Sequence, residues 1–491
     1  MWVRGRTVLA LMVLAAVASG ITTYAALRNP GFLAIESPGR NEPASASPGH
    51  GINEKELEKF NKAFELIREK FLLASDRDRL LDGAIQGMVE ALSDPYSVYK
   101  TAEDSEAFTD ELQGAFTGIG ANLTLVKGNV VVESTIKGTP AERAGLQPKD
   151  VLISINGESL RGLTLTEAVA KIRGPKGTKA KLSVQREGFS EPLDLELVRD
   201  RIDLVTVHAE MAEHGIGYLV IHKFTFDTAR SVAEELALLE QQGLKALVID
   251  VRDNPGGTVQ AVEEIVAQFV EKGKPIMQFE YRDGKVKTDY AEQGLAEAKP
   301  YPIVVLMNKE SASAAEILAG ALQQSADALL VGERTYGKGT VQVSYEDELG
   351  DGSLMKLTVY KWLLPNGVWV NETGIPPNVT VSQPRYYYAT QLPRGTAMKL
   401  DDTGEQVENL QLILEGVGFP ADRTDGYFST GTEEALKRFQ RQEGLPETGA
   451  IDDATAVRLE EALYERLQQK EYDKQWLEAL KLARERIGSG S

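Results

Sequence analysis

Ser313 and Lys338 are of the types, and at a spacing, that could do chemistry together. Ser313 lies in Lys309-Glu-Ser-Ala-Ser-Ala-Ala-Glu-Ile317, which reads as the start of a helix. Lys338 lies in Gly332-Glu-Arg-Thr-Tyr-Gly-Lys-Gly-Thr-Val-Gln342, a glycine-rich turn leading into a strand. The interval leaves room for one helix and one strand. A serine hydroxyl is a weak nucleophile until a base takes its proton. A lysine amine can be that base if burial lowers its pKa, because desolvation disfavours the charged form. The glycines beside Lys338 let the backbone turn tightly and aim the side chain inward. A helix start beside Ser313 offers unpaired N–H groups and the positive end of the helix dipole, which suit a developing oxyanion. If the pair meets in space, the chain is a hydrolase.

Two other readings of these segments compete. A serine at a helix start is commonly a cap, and a lysine in a glycine-rich turn is commonly solvated. The run from Gly332 to Thr340 also approaches a phosphate-binding P-loop. It fails where that motif needs Ser or Thr directly after the lysine to hold magnesium, because Gly339 stands there. Upstream, Ala246-Leu-Val-Ile-Asp-Val-Arg-Asp-Asn-Pro-Gly-Gly257 reads as a buried strand ending in a bend. Such a bend can supply an oxyanion donor or be a plain strand-to-helix connection.

Taken together, these three segments resemble the carboxyl-terminal processing peptidases, also called tail-specific proteases. That family carries Ser-Ala-Ser-Ala-Ser-Glu before its core helix, Thr-Tyr/Phe-Gly-Lys-Gly-Thr-Val-Gln after it, and Asp-Leu-Arg-Asn-Asn-Pro-Gly-Gly upstream. The resemblance covers roughly residues 50–385. It implies that Ser313 is the nucleophile, Lys338 the general base and Gln342 the residue that orients the lysine. It further implies an oxyanion hole from the amides of Gly256 or Gly257 and of Ala314. Ala315 and Asp253 depart from the family pattern, where Ser and Asn are frequent, and Asn378 replaces a common aspartate.

A second module precedes the catalytic segments. Phe116-Thr-Gly-Ile-Gly-Ala-Asn-Leu123 opens it, and Pro140-Ala-Glu-Arg-Ala-Gly-Leu-Gln-Pro-Lys-Asp-Val-Leu-Ile-Ser-Ile-Asn-Gly157 continues it. This pattern resembles a PDZ domain, which adds an extended peptide to a sheet edge and holds its terminal carboxylate on backbone N–H groups. The matching loop is Gly118, Ile119, Gly120 and Ala121, with Leu123 lining the side-chain pocket. The pairing implies gating by substrate C-termini. Arg173 is either a regulatory contact to the catalytic domain in one state or a solvated arginine.

A third resemblance follows the protease segments. Asp425-Gly-Tyr-Phe428, Ala435-Leu-Lys-Arg-Phe-Gln440 and Gly444-Leu-Pro-Glu-Thr-Gly449 are similar to the small helical peptidoglycan-binding domain of cell-wall enzymes. Phe428, Leu436 and Phe439 read as its core.

Length and composition agree with an assembly of modules. The chain has 491 residues, 42% hydrophobic and 26% charged, too long for one ordinary domain. A formal charge of −19 argues against a nucleic-acid partner, which would need clustered Lys and Arg. There is no cysteine, so disulfides and thiol catalysis are excluded. The four histidines have no metal-ligand spacing, and neither a metal nor a cofactor is expected. Residues 8–27 are almost wholly apolar or small behind Arg4 and Arg6. About 20 such residues span a bilayer. An uncleaved membrane anchor is favoured, a cleaved signal peptide competes, and either exports the rest.

The expected architecture is multidomain α/β and α+β. A membrane anchor or signal segment at 1–28 and a Pro-, Ser- and Gly-rich linker at 29–51 lead to a helical region at 52–112. A barrel-like PDZ module spans 113–199, and an α/β protease core with a central sheet and flanking helices spans 200–385. A linker at 386–402, a small all-α peptidoglycan-binding-like domain at 403–464 and a helical tail at 465–491 follow. The resemblance implies an exported serine endopeptidase acting on unfolded or C-terminally exposed envelope proteins, with peptidoglycan as a further partner and a homodimer through the N-terminal helices. A non-catalytic PDZ and cell-wall scaffold is the alternative.

Overall fold

The computed structural model describes residues 51–489 apart from 127, 187, 190 and 347. The anchor or signal segment at 1–28 lies outside the described residues. No described helix is long and apolar enough to cross a membrane. The chain divides into two compact units, Met1–Leu81 and Asp82–Ser491. The first contains α1 (Glu54–Lys70). Asn53 and Glu56 cap it reciprocally, which satisfies two amides that a helix start leaves unpaired. Leu57, Phe60, Ile67 and Phe71 recur at helical spacing, yet all are exposed and α1 buries nothing. Helix α2 (Arg77–Glu90) runs across the boundary.

In the second unit, β1 (Val98–Lys100) and α3 (Ala102–Leu112) lead into a small β domain. Its neck is β2 (Ala115–Gly118) paired with β9 (Asp200–Asp203). Between them lie β3 (Ala121–Val126), β4 (Asn129–Thr135), the short α4 (Pro140–Arg143), β5 (Val151–Ile155), β6 (Glu158–Ser159), α5 (Leu165–Ile172), β7 (Lys179–Gln185) and β8 (Leu193–Val198). The sheet order is β3-β4-β5-β7-β8, with β6 on β5. Ala180, Leu182 and Val184 alternate inward along β7 and pack with Ala168 and Ile172 of α5, the two-residue period of a half-buried strand.

The catalytic segments belong to a larger α/β body. It comprises β10 (Val207–Met211), β11 (Ile216–Ile221), α6 (Thr228–Gln241), β12 (Ala246–Asp250), α7 (Val259–Val266), β13 (Pro275–Glu280), β14 (Val286–Tyr290) and β15 (Ile303–Met307). It continues through α8 (Ala314–Ser325), β16 (Leu329–Gly332), β17 (Thr340–Tyr345), β18 (Leu354–Leu363) and β19 (Val379–Thr380). One sheet runs β10-β11-β12-β15-β16-β19, parallel except for β10. β12 and β15 are buried at every position, as strands of a sheet covered on both faces must be. A second, antiparallel sheet has β18 at its centre, paired with β17 along one edge and with β1 and β13 along the other.

The covers of the parallel sheet come from distant parts of the chain. On one face, Leu247, Ile249 and Val305 pack with residues of α6, α7 and α8. On the other, Tyr218, Val248, Val304 and Leu306 pack against Trp476, Ala479 and Ala483 of α12 (Lys474–Ser489). Before α12 stand three helices, α9 (Glu405–Gly416), α10 (Thr430–Gln442) and α11 (Asp453–Leu467), around Phe428, Leu436 and Phe439. The boundary expected at 464/465 falls inside α11. The charged amphipathic helix read at 465–487 corresponds to α12, whose apolar side packs on the protease sheet. The reason is its stripe of Trp476, Ala479 and Ala483, whose small residues let the helix lie close on the strands. Burying the Trp476 side chain alone is worth about 4 kcal/mol as an upper bound.

Candidate active site

Ser313 is the N-cap of α8 and adopts φ 55 and ψ −115, a region that L-residues avoid. Such a residue costs about 1–3 kcal/mol and persists only where its surroundings hold it. Here the holder is Glu316, one helical turn on and fully buried. One carboxylate oxygen accepts the Ser313 N–H at 2.8 Å and the Lys338 N–H at 2.9 Å. The other accepts the Thr335 hydroxyl at 2.6 Å and the Gly337 N–H at 2.9 Å. Ionised acceptors make the stronger hydrogen bonds, so this one side chain ties the serine to the lysine turn.

The helix and strand expected between the two residues are α8 and β16. They return the chain so that Lys338 Nζ lies 3.5 Å from Ser313 Oγ. Lys338 Nζ donates to Gln342 Oε1 at 2.8 Å, and Gln342 Nε2 donates to the hydroxyls of Thr340 at 3.1 Å and Thr358 at 3.0 Å. Gln342 therefore has its amide orientation set from β18. The turn itself is bolted by two indoles: Trp362 donates to the Lys338 carbonyl at 2.6 Å and Trp369 to the Gly339 carbonyl at 2.8 Å. The Tyr96 ring lies 4.9 Å from Lys338 Nζ. Burial, and secondarily the charge of Lys356, bring the Lys338 ammonium down to about 8.

The Asn254–Gly257 turn meets the nucleophile directly. A Cβ on Gly256 (φ 101) would stand 2.8 Å from Ser313 Cβ, and one on Gly257 1.9 Å from the Phe224 carbonyl oxygen. Only glycine fits at either position. The Gly256 N–H donates to Asn254 Oδ1 at 2.8 Å, and its carbonyl accepts the Phe224 N–H at 3.1 Å. The Phe224 carbonyl accepts from Thr258, so the Phe224–Gly257 bridge leaves the Gly257 N–H unused. The Ala314 N–H at the start of α8 is likewise without an acceptor among the described residues. Of the expected amides, Gly257 and Ala314 remain able to donate, whereas Gly256 is occupied.

Sequence reasoning passed over Glu316 as a helix-pattern residue and did not single out Asn254, Trp362 or Trp369. The Ser-x-x-Glu spacing of Ser313 and Glu316 was the one signal available. Asn378 has a role in the structure: its side-chain oxygen accepts the Leu330 N–H at 2.8 Å and Gln323 Nε2 at 3.1 Å, fastening the start of β16. Asp253 exchanges two hydrogen bonds with the Asn308 side chain, at 3.0 and 2.8 Å.

In the small domain, Gly118, Ile119, Gly120 and Ala121 join β2 to β3. The Ile119 carbonyl accepts from Ala141 at 2.7 Å, and the Gly120 carbonyl accepts from Ile136 at 2.9 Å and the Thr139 hydroxyl at 3.0 Å. The carbonyls being spent inward, the amides of Ile119 and Gly120 have no acceptor among the described residues. Gly120 (φ 80) abuts Thr139 too closely for any Cβ. Leu123 is half-buried against the domain core. Arg173, at the end of α5, stacks 5.1 Å over the Phe116 ring of β2, beside Gly118, rather than on a catalytic element.

Residues 215–381 match peptidase family S41, residues 111–185 the PDZ domain and residues 403–459 a peptidoglycan binding domain. Residues 17–104 match the N-terminal domain of the activating protease CtpB. The carboxy-terminal processing protease CtpB of Bacillus subtilis (strain 168) is 40% identical over 465 residues, 94% of this chain and 95% of that one. The carboxy-terminal processing protease CtpA of the same organism is 40% identical over 415 residues, 84% of this chain and 87% of its own. A CtpA-like serine protease of Staphylococcus aureus (strain COL) is 34% identical over 420 residues, 85% of this chain and 84% of its own.

Proposed function

The chain belongs to the carboxy-terminal processing serine proteases of peptidase family S41, and from that premise we propose that Ser313 and Lys338 are its catalytic dyad. The observation that carries this reading is a mostly buried amine 3.5 Å from a strained serine hydroxyl, with no carboxylate paired to it among the described residues. Neutral Lys338 takes the Ser313 proton as Oγ attacks the peptide carbonyl. The oxyanion forms against the free amides of Gly257 and Ala314. Lys338 then gives the proton to the leaving amine, and an acyl-enzyme remains. Lys338 next deprotonates a water molecule, whose attack releases the second product and restores Ser313. The distance of 3.5 Å is long for a hydrogen bond, and such contacts tighten when substrate binds. Gln342 keeps the amine aimed at Oγ.

Around this centre the remaining modules act on substrate delivery. The free amides of Ile119 and Gly120 receive the C-terminal carboxylate of an unfolded or tail-exposed protein, and Leu123 contributes to the pocket for its last side chain. Arg173 senses the bound peptide through Phe116 and the Gly118 turn. Peptidoglycan is the partner of the helical domain that includes α9 and α10. The protease works outside the cytoplasm, held at the membrane by its N-terminal segment. The uncovered apolar residues of α1 support pairing with a second copy.

Cleavage of an unfolded protein by the full chain tests the dyad beside Ser313→Ala and Lys338→Ala. Both substitutions are expected to abolish cutting. Wild-type activity is expected to rise with pH through about 8, since only neutral Lys338 can accept a proton and roughly one molecule in ten is neutral at pH 7. Cleavage that survives either substitution refutes the dyad. A wild-type chain that stays silent even with a PDZ-binding peptide added favours the scaffold reading.

A further inference from the structure

Three lysines line one face of the antiparallel sheet. Gln342 of β17 stands opposite Thr358 of β18, and Ser344 opposite Lys356. Across the other edge of β18, Lys356 stands opposite Val98, and Lys100 follows two residues along β1. Residues two apart on a strand, and residues directly opposite on neighbouring strands, share a face. Lys338 joins that face through its bond to Gln342, whose own amide bonds Thr358. Lys356 is one pleat period, about 7 Å, along β18 from Thr358. Lys356 and Lys100 both approach the Phe108 ring of α3, each ammonium 5.3 Å from its centre.

None of the three ammonium groups forms an ion pair among the described residues. This is notable in a chain of net charge −19, where a counter-ion is easily supplied. The carboxylates that face the group are otherwise engaged. Glu111, on α3, is ion-paired with Lys223. Asp94 accepts from the Ser97 hydroxyl at 2.6 Å and the Tyr96 N–H at 3.2 Å. Glu316 is saturated by its four donors. Keeping three like charges together without pairing them costs free energy, and clusters of that kind mark sites where a charge state is being set.

We propose that Lys356 is a positioning residue for the dyad, whose unpaired ammonium on the same face adds to burial in favouring the neutral Lys338 that accepts the proton of Ser313. The proposal rests on the dyad reading given above. A second cation beside a lysine is one of the few ways to hold an amine unprotonated near neutral pH without losing its polar contacts. Burial is the larger cause of the lowered Lys338 ammonium, and Lys356 adds to it. Burial first and Lys100 second lower the Lys356 ammonium itself, so Lys100 works against the effect rather than adding to it. The Phe108 ring, 5.3 Å from both ammonium groups, favours their charged forms.

The test is the pH dependence of kcat/KM for an internally quenched peptide that the wild-type full chain cleaves. It is recorded for wild type, Lys356→Met, Lys356→Gln and Lys356→Arg, with Ser313→Ala as the control. Removing the charge in Lys356→Met is expected to move the acid limb upward by about half a pH unit or more. That is about a three-fold loss at pH 7, recovered as pH rises above 9. Lys356→Arg keeps the charge and should leave the limb where it is, and Lys356→Gln should shift it as Lys356→Met does. An acid limb that stays put in both Lys356→Met and Lys356→Gln overturns the proposal. So does an arginine variant that behaves like methionine, because shape rather than charge would then matter. So does a rise in KM confined to acidic peptides, which would make the pair a substrate contact. Failure of the dyad reading looks different, as cleavage persisting in Ser313→Ala, and removes the proposal with it. If Lys356→Met does not fold, Lys356→Gln decides between a shifted and an unshifted limb.

Discussion

Glu316 accepts one hydroxyl and three backbone N–H bonds from two separate segments, and every one depends on its being an acceptor at both oxygens. Replacing it with glutamine turns one oxygen into a donor facing donors. Glu316→Gln is therefore expected to lose on the order of 2–4 kcal/mol of stability, measured by denaturant unfolding, and most of the peptide cleavage at any pH. Lys338 should behave in the opposite sense. Its ammonium is held below its unfolded value, so the folded chain is penalised below about pH 8 and relieved as the pH rises toward 10. Lys338→Met is expected to abolish cleavage while raising thermal stability at pH 7, by on the order of 1 kcal/mol once the lost bond to Gln342 is set against the gain. A melting temperature that falls would show that the amine is well solvated. Much of this site was legible in the sequence, because Ser313, Lys338 and the Asn254–Gly257 turn sit in three compact motifs with chemically constrained residue types. Glu316 was not, because its donors come from residues 313 and 335–338, and one spacing cannot reveal a bond made from the far side of a helix and a strand.

Helix α7 and strand β14 bring two carboxyl groups together, Glu263 and Asp289. Burial first, then the Asp289 charge, pushes Glu263 up to about 8, and burial raises Asp289 as well. The fold favours the protonated form. The stability it contributes is fully present below the unfolded value near 4.3 and is lost as pH rises through about 8. Glu263→Gln is expected to leave the melting temperature nearly unchanged at pH 5 and to raise it by several degrees relative to wild type at pH 8.5. Equal stability of the two proteins at pH 8.5 would show that water reaches the pair. Elements like these are the part of the fold that the sequence states well. β12 and β15 are recognisable as continuous apolar runs, and α5 by the helical spacing of Leu165, Ala168, Val169 and Ile172 and its Thr164 and Glu167 cap. The two-residue β19 is not, since a strand that short carries no period at all.

At the scale of the whole molecule, the helical domain stands between two attachments to the protease. The chain leaves β19 for it and comes back as α12, which closes the second face of the parallel sheet. The return is clamped. The Arg252 side chain bonds Asp250 and reaches Asp473 at 2.9 Å and Gln475 at 3.1 Å, just before and inside α12. Removing residues 465–491 therefore strips the sheet of a cover that includes Trp476. The truncated protein is expected to be insoluble or inactive in the cleavage assay, whereas a free tail would be dispensable. Soluble, fully active truncated protein would show that another surface can cover Val248, Val304 and Leu306. The amphipathic helix was legible in the sequence, but what its apolar side covers was not, because the strands it packs on lie far away in the chain.

The position of α12 also sets an order of events during synthesis. Chains are made from the N-terminus and domains tend to fold as they emerge. The small β domain, both halves of the dyad and the three-helix domain are all complete while α12 is still unmade. Until it arrives, Tyr218, Val248, Val304 and Leu306 have no cover, so the chain carries a bare apolar sheet face to the end of its synthesis and is most prone to aggregate just before its last helix closes it.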